Sequence, residues 1–170
     1  MQGFSIIYTR FDGRISRKEF LFGSFFIAII GLFIFSAISI PSLSSLNPNN
    51  ILTLNENVDT KLLNEMQQRQ HWLSFSAYIF LLIPTSALFV QRLHDRNLSA
   101  HIYWVYIILS LILFIPKNIE IIDNFASFPN VIEVTIRLVT TGLAIYLGFT
   151  CSFLNGSKGN NTYGSDPLTK

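Results

Sequence analysis

Apolar residues run in long unbroken blocks along this chain instead of alternating with polar ones. Four windows, Phe20–Asn55, Gln70–Gln91, Asn97–Pro116 and Leu138–Ser157, each hold at least 20 residues without Asp, Glu, Lys or Arg. A helix needs about 20 mostly apolar residues to cross a bilayer. Inside that solvent only helices and closed barrels satisfy all their backbone polar groups. Continuous runs lack the two-residue period of a barrel strand, so they predict helical spans over about 17–40, 72–95, 99–116 and 131–154. The predicted fold is all-α, an integral-membrane four-helix bundle forming one domain over residues 1–170.

Local signals set the ends of these elements. Ser16-Arg17-Lys18-Glu19 has the spacing of a capping box, in which Ser16 accepts from the third helical amide and Glu19 reaches back to the cap amide. The first helix then stops near Pro41. Residues 41–71 read as a polar loop, within which Asp59–Arg69 has the pattern of a short surface helix, with Glu65 and Arg69 paired one turn apart. Pro84 lies inside the second helix and removes one backbone bond, freeing the Phe80 carbonyl for Thr85 or Ser86 to satisfy. Arg92 and Arg96 close that helix at its negative dipole end, and Asn97 suits the left-handed turn that follows. Ser99 is the expected N-cap of the third helix, whose strictly apolar stretch Ile102–Ile115 is the shortest of the four. In the fourth helix, Ala144, Gly148 and Ser152 make a small-residue face for close helix contact, and Glu133 pairs with Arg137. Asn155-Gly156 is its stop.

Composition agrees with a membrane protein. Half of the 170 residues are hydrophobic, sixteen are Phe, and only 13% are charged, against about 25% in soluble domains. The net charge of +2 is too small, and the basic runs too short, for a nucleic-acid partner. Cys151, the lone cysteine, has no internal disulfide partner and reads as a packing residue. The stretch Phe20–Ile40 is longer than the 7–15 residues of a signal-peptide core, so an uncleaved first span is expected. With the N-terminus inside, the cytoplasmic segments 1–16, 96–98 and 155–170, with the adjoining helix ends, hold Arg10, Arg14, Arg17, Lys18, Arg92, Arg96, Lys158 and Lys170. The outer side, with loops 41–71 and 117–130, holds Lys61, Arg69, Lys117 and Arg137. Eight basic residues against four follow the positive-inside bias, which predicts both termini in the cytoplasm.

Three polar segments thereby fall on one side of the membrane: Gly13–Phe20, Arg92–Asp95 and Gly156–Pro167. Gly13, Arg14, Arg17, Glu19 and Phe20 match the pattern G-R-x-x-R-x-E-[FY]. Arg92, Leu93, His94, Asp95 and Ser99 match R-L-H-D-x-G-x-S-G-W, with Asn97, Ala100 and His101 where that pattern has Gly, Gly and Trp. Gly156, Gly159, Asn161, Tyr163, Gly164, Asp166 and Pro167 match G-x-x-G-x-N-x-Y-G-x-D-P. In these motifs, in this order, the chain resembles the domain-of-unknown-function 805 family of small bacterial inner-membrane proteins. The resemblance spans essentially the whole chain and implies a topology and an inner-membrane location, with no established activity.

The expected functional surface is a polar cytoplasmic cap of Arg14, Arg17, Glu19, Arg92, His94, Asp95, Tyr163 and Asp166. Asp95 can pair with Arg14 or Arg92, and Asp166 can dock against the basic cluster. A basic cluster beside free helix amides suits an anion and, at the cytoplasmic surface, anionic lipid headgroups. The leading expectation is a non-enzymatic module that binds anionic lipid or a partner protein, itself a membrane protein or a second copy, with no cofactor, metal or catalytic residue. Two alternatives stay open. One is an oligomeric channel or transporter subunit, against which stands the lack of charge within the first three spans. The other is an interfacial enzyme using His94 and Asp95, though a metal site needs three or more converging ligands.

Overall fold

The computed structural model describes residues 8–44, 56–114 and 130–168 and contains four helices: α1 (Arg17–Ser44), α2 (Glu56–Asp95), α3 (His101–Phe114) and α4 (Asn130–Ser152). Three of them are long and apolar enough to cross a membrane, over Arg17–Ser39, Asn64–Asp95 and Val131–Ser152. The 14 residues of α3 rise about 21 Å, short of the roughly 30 Å of bilayer hydrocarbon. Phe22, Phe33 and Leu138, all about 70% exposed, point away from the bundle, as a lipid solvent requires.

Several boundaries move from their predicted places. The loop predicted for 41–71 is helical from Glu56, and α2 is one 40-residue helix. The stretch from Glu65 to Gln70 is made of good helix formers, and no breaker separates it from Trp72, so the short surface helix fuses with the span. At the other edge of that loop, α1 continues through Pro41 to Ser44. The predicted loop 117–130 lies outside the described residues apart from Asn130, the first residue of α4. The first bond of α3 runs from the Trp104 amide to the Ala100 carbonyl at 3.1 Å, one residue after the Ser99 cap predicted for it.

Two packing expectations are corrected. Thr85 donates to its own turn, at the Leu81 carbonyl (2.7 Å), and Ser86 bonds the Tyr103 hydroxyl on α3 (2.9 Å); neither takes the Phe80 carbonyl beside Pro84. The small-residue face of α4 is not its packed face. Ala144 is exposed, and a Cβ at Gly148 would meet nothing within 4 Å. Leu147, Thr150 and Cys151 are the residues turned inward.

α1 packs mainly along α2 and α3 mainly along α4. The first residues of α1 and α3 and the last residues of α2 and α4 meet at one end, so the helices alternate in direction. The buried core gathers there: Ile15, Phe20, Leu88, Leu93, Tyr103, Leu147 and Cys151. Phe20 meets Phe89 edge-on at 5.2 Å, a geometry worth about 0.5–1.5 kcal/mol beyond area burial. The core end is also the end that carries the polar motifs.

Candidate functional site

The capping box forms as its spacing predicts. The Glu19 amide donates to Ser16 Oγ (3.3 Å), and the Ser16 amide donates to Glu19 Oε2 (2.8 Å). This sets the start of α1 and leaves Arg14, two residues before the cap, pointing under the other helix ends. α2 ends in a Schellman turn. The Leu98 amide donates to the Leu93 carbonyl and the Asn97 amide to the His94 carbonyl, with Asn97 left-handed at φ 58°. Asp95, the last residue of α2, is thereby turned into the centre of the cap.

Two arginines share that one acid. Arg14 donates from Nε and Nη2 to Asp95 Oδ1 at 3.1 and 3.0 Å, and Arg92 donates from Nη1 to Asp95 Oδ2. The side chains of Arg14 and Arg92 are each 1% exposed and that of Asp95 4%. The remaining donors go to backbone. Arg14 reaches the carbonyls of Ser157 (2.6 Å), Gly159 (2.6 Å) and Gly164 (3.2 Å). Arg92 reaches those of Cys151 (2.9 Å), Leu154 (2.6 Å) and Ile15 (3.5 Å). Cys151 is in the last turn of α4, where carbonyls have no partner within the helix, so Arg92 caps α4 from the side. The positive charge in excess within the triad faces the negative dipole ends of α2 and α4.

The segment after α4 is fastened to the same point. The amide and Oγ of Ser157 both donate to the Asp95 carbonyl (2.8 and 2.9 Å). Gly156 is the seat for the Asp95 carboxylate: a Cβ there would lie 2.6 Å from Asp95 Cγ and 2.9 Å from Oδ1. Asn161 donates to the His94 carbonyl and to Ser157 Oγ, each at 2.9 Å. The Tyr163 ring lies flat on the His94 ring, with centroids 3.9 Å apart and planes 6° apart. The Nδ1 of His94 is buried without a hydrogen-bond partner.

Asp166 is buried, but its expected docking on the basic cluster works through the loop. Its Oδ2 accepts from the Gly159 amide (2.8 Å) and its Oδ1 from the Leu168 amide (2.9 Å). Gly159, at φ 73°, can then turn its carbonyl onto Arg14. The amides of Leu168 and Gly159, and next the Arg14 charge, hold the Asp166 carboxyl below the usual carboxylate range.

All eight predicted cap residues therefore lie at one end. Arg14, Arg92, Asp95 and Asp166 are buried there, His94 and Tyr163 form one flank, and Glu19 is spent on its own helix cap. Arg17 lies at the rim, 3.4 Å from both the Phe153 carbonyl and Asn155 Oδ1. The predicted Glu133–Arg137 pair forms at 2.8 Å but on α4 far from the cap. Sequence reasoning missed Gln91, which is buried and donates to the Arg10 carbonyl (2.5 Å); its only signal is its place beside Arg92. Among the described residues no three His, Cys, Asp or Glu side chains converge as metal ligands. Arg14 and Arg92 are taken up by internal acceptors, and Arg17, Lys18 and Lys158 stand at the rim. They border a pocket of about 430 Å³ floored by Asp95, Gly156 and Asp166.

A family model described as a protein of unknown function (DUF805) matches residues 8–165, and the chain belongs to that family. No curated protein and no solved structure matches it.

Proposed function

We propose that this member of the DUF805 family is a non-catalytic, multi-pass protein of a bacterial inner membrane, with both termini cytoplasmic, that binds anionic lipid headgroups at its polar cap. The observation that carries the reading is the division of labour among the cations. Two arginines lock the cap, and Arg17, Lys18 and Lys158 are left around an open pocket. The end of the bundle formed by residues 8–20, 91–101 and 151–168 holds seven basic and four acidic side chains, the charge bias of a cytoplasmic face. A four-pass arrangement is supported by Arg14 and Arg92, which bring the segments before α1, after α2 and after α4 to one side. With those ends together, α3 starts on the side where α2 and α4 end and packs along α4, the direction that a four-pass arrangement calls for.

Basic residues near an anionic membrane surface contribute about 1 kcal/mol each. Replacing Arg17, Lys18 and Lys158 together with Ala should thus lower the preference for phosphatidylglycerol over phosphatidylcholine by about a hundredfold. Lipid enrichment around the protein in mixed nanodiscs measures this. An unchanged preference in a normally melting triple variant would overturn the lipid reading and leave a partner protein as the occupant of the cap. Topology is tested separately, by labelling cysteines placed at Ser157 and Ser165 from either side of sealed vesicles.

A further inference from the structure

Three concavities follow one another along α1, each sharing a lining residue with the next. The cap pocket and a shallow furrow on the outer face of α1 share Lys18. The furrow follows Leu21, Phe22, Ser24 and Phe25 down to Ala28, and Ala28 also borders a cavity of about 400 Å³ between the helices. Ala28 and Ala144 both line that cavity and are both exposed. The cavity thus opens sideways, toward the bilayer, between α1 and α4. From Lys18 to Ala28 the helix rises about 15 Å, which is half of the roughly 30 Å hydrocarbon thickness.

The cavity wall is apolar apart from a few hydroxyls. Those of Tyr78 and Tyr103 are paired, with Ser110 (2.8 Å) and Ser86 (2.9 Å), and that of Thr85 is bonded within its own helix. Tyr106 lines the same wall, and its hydroxyl makes no hydrogen bond to any described residue. A volume of several hundred Å³ with a few placed polar groups is the usual form of a small-molecule site.

We infer that the cap, furrow and cavity together form a site for one anionic glycerophospholipid. Its phosphate sits among Arg17, Lys18 and Lys158, one acyl chain follows the furrow, and that chain bends past Ala28 into the cavity. The inference rests on the headgroup reading above and adds a fixed stoichiometry and a chain path. The charged rim selects anionic over zwitterionic lipid, and the enclosed chain distinguishes this lipid from the layer that coats any membrane protein.

The test uses the full chain in nanodiscs containing phosphatidylglycerol or phosphatidylcholine with a photoreactive diazirine midway along one acyl chain. The expected result is labelling of Leu81, Ile107 and Leu147 inside the cavity at least fivefold above the open-face residues Phe33 and Leu138, with the phosphatidylglycerol probe at least fivefold more effective than the phosphatidylcholine one. Ala28→Trp/Ala144→Trp, which closes the mouth, should reduce cavity labelling at least tenfold and leave the headgroup preference intact. Gly31→Leu fills the cavity from α1, where a Cβ has room at 3.6 Å from Leu81 Cδ1, and should act alike if the double variant fails to fold. Even labelling of cavity and open faces, or equal cavity labelling by the two probes while headgroup preference persists, would overturn the chain site and leave the cap reading standing. Loss of the headgroup preference itself strikes at the cap reading instead.

Discussion

Replacing Asp95 with alanine leaves two guanidiniums, each 1% exposed, without the carboxylate they share. Removing one partner of a buried ion pair costs about 3–5 kcal/mol, because the other charge stays desolvated. Here two charges stay behind and then repel each other, which moves the expectation to about 5 kcal/mol, the upper end of that range. The five backbone carbonyls that accept from Arg14 and Arg92 at 3.2 Å or less keep the loss from growing further. Folded domains are stable by about 5–15 kcal/mol, so the variant should lose a third or more of its stability. Titrating denaturing detergent into mixed micelles, with tryptophan fluorescence as the readout, measures the difference. The reasoning also predicts coupling: Arg14→Ala added to Asp95→Ala should cost less than the sum of the two single changes, since each removes the other's reason for being buried. A loss under about 1 kcal/mol for Asp95→Ala, the range of an exposed pair, would show that water reaches the triad and would refute this account.

The other predictions test neighbouring parts of the cap. Gly156→Ala should destabilise by about 2 kcal/mol or more, since the methyl group overlaps the Asp95 carboxylate and displaces a buried charge. Gly148→Ala, in open space within α4, should instead stabilise by about 0.5–1 kcal/mol; the same melting assay reads both. Tyr163→Ala removes the ring stacked on His94 and should speed trypsin cleavage at Lys158, with unchanged cleavage counting against a docked tail. The lowered Asp166 carboxyl gives a pH dependence of definite sign. Its stabilisation is complete above the unfolded carboxylate value of about 3.9 and is lost as pH falls through the lower folded value. Tail amides should therefore exchange faster in acid below about pH 4, and Asp166→Asn should flatten that profile.

The residues that sequence reasoning placed well are those whose signal is local. Ser16 and Glu19 announce a capping box within four positions, and Asn97 announces a left-handed turn by its own chemistry. Three of the four charge-free windows fall on helices long and apolar enough to cross a membrane, because in hydrocarbon a charge is costly wherever it points; the window 97–116 falls on the shorter α3. Even the sharing of Asp95 by Arg14 or Arg92 is visible once the three motifs fall on one side. What was not legible depends on partners distant in sequence. Gly156 reads as a helix stop, and only the folded chain reveals it as the seat of a carboxylate 61 positions earlier. Arg92 reads as a cation suited to the end of its own helix, yet two of its four hydrogen bonds go to carbonyls at the end of α4. Periodicity picked the wrong face of α4, because small residues permit close approach without requiring it. The fusion of 56–71 into α2 escaped notice because polarity was taken as a loop signal where helix propensity was high.

The concentration of buried charge at one end follows from what the solvent can and cannot do. Within hydrocarbon, burying Leu against Leu has no advantage over burying Leu against lipid, so apolar packing alone gives helices little reason to hold one register. This is consistent with the outward-facing Phe22, Phe33 and Leu138 and with a cavity left at the bundle centre. Register must then be set where water is close, by groups that accept only one geometry. The Arg14–Asp95–Arg92 triad is such a group. It ties three segments, each carried by a different helix or tail, through fixed donors and a glycine seat that no other residue fits. The consequence can be tested away from the cap. Phe33→Ala and Leu138→Ala, on the open faces, should each change stability by less than about 0.5 kcal/mol, as surface substitutions do, although both remove more apolar area than Asp95→Ala does. A cost of about 3 kcal/mol or more at either position, the usual result of emptying a packed core, would mean that the helices are held by their apolar faces, and the triad would lose its place as the element that sets their register.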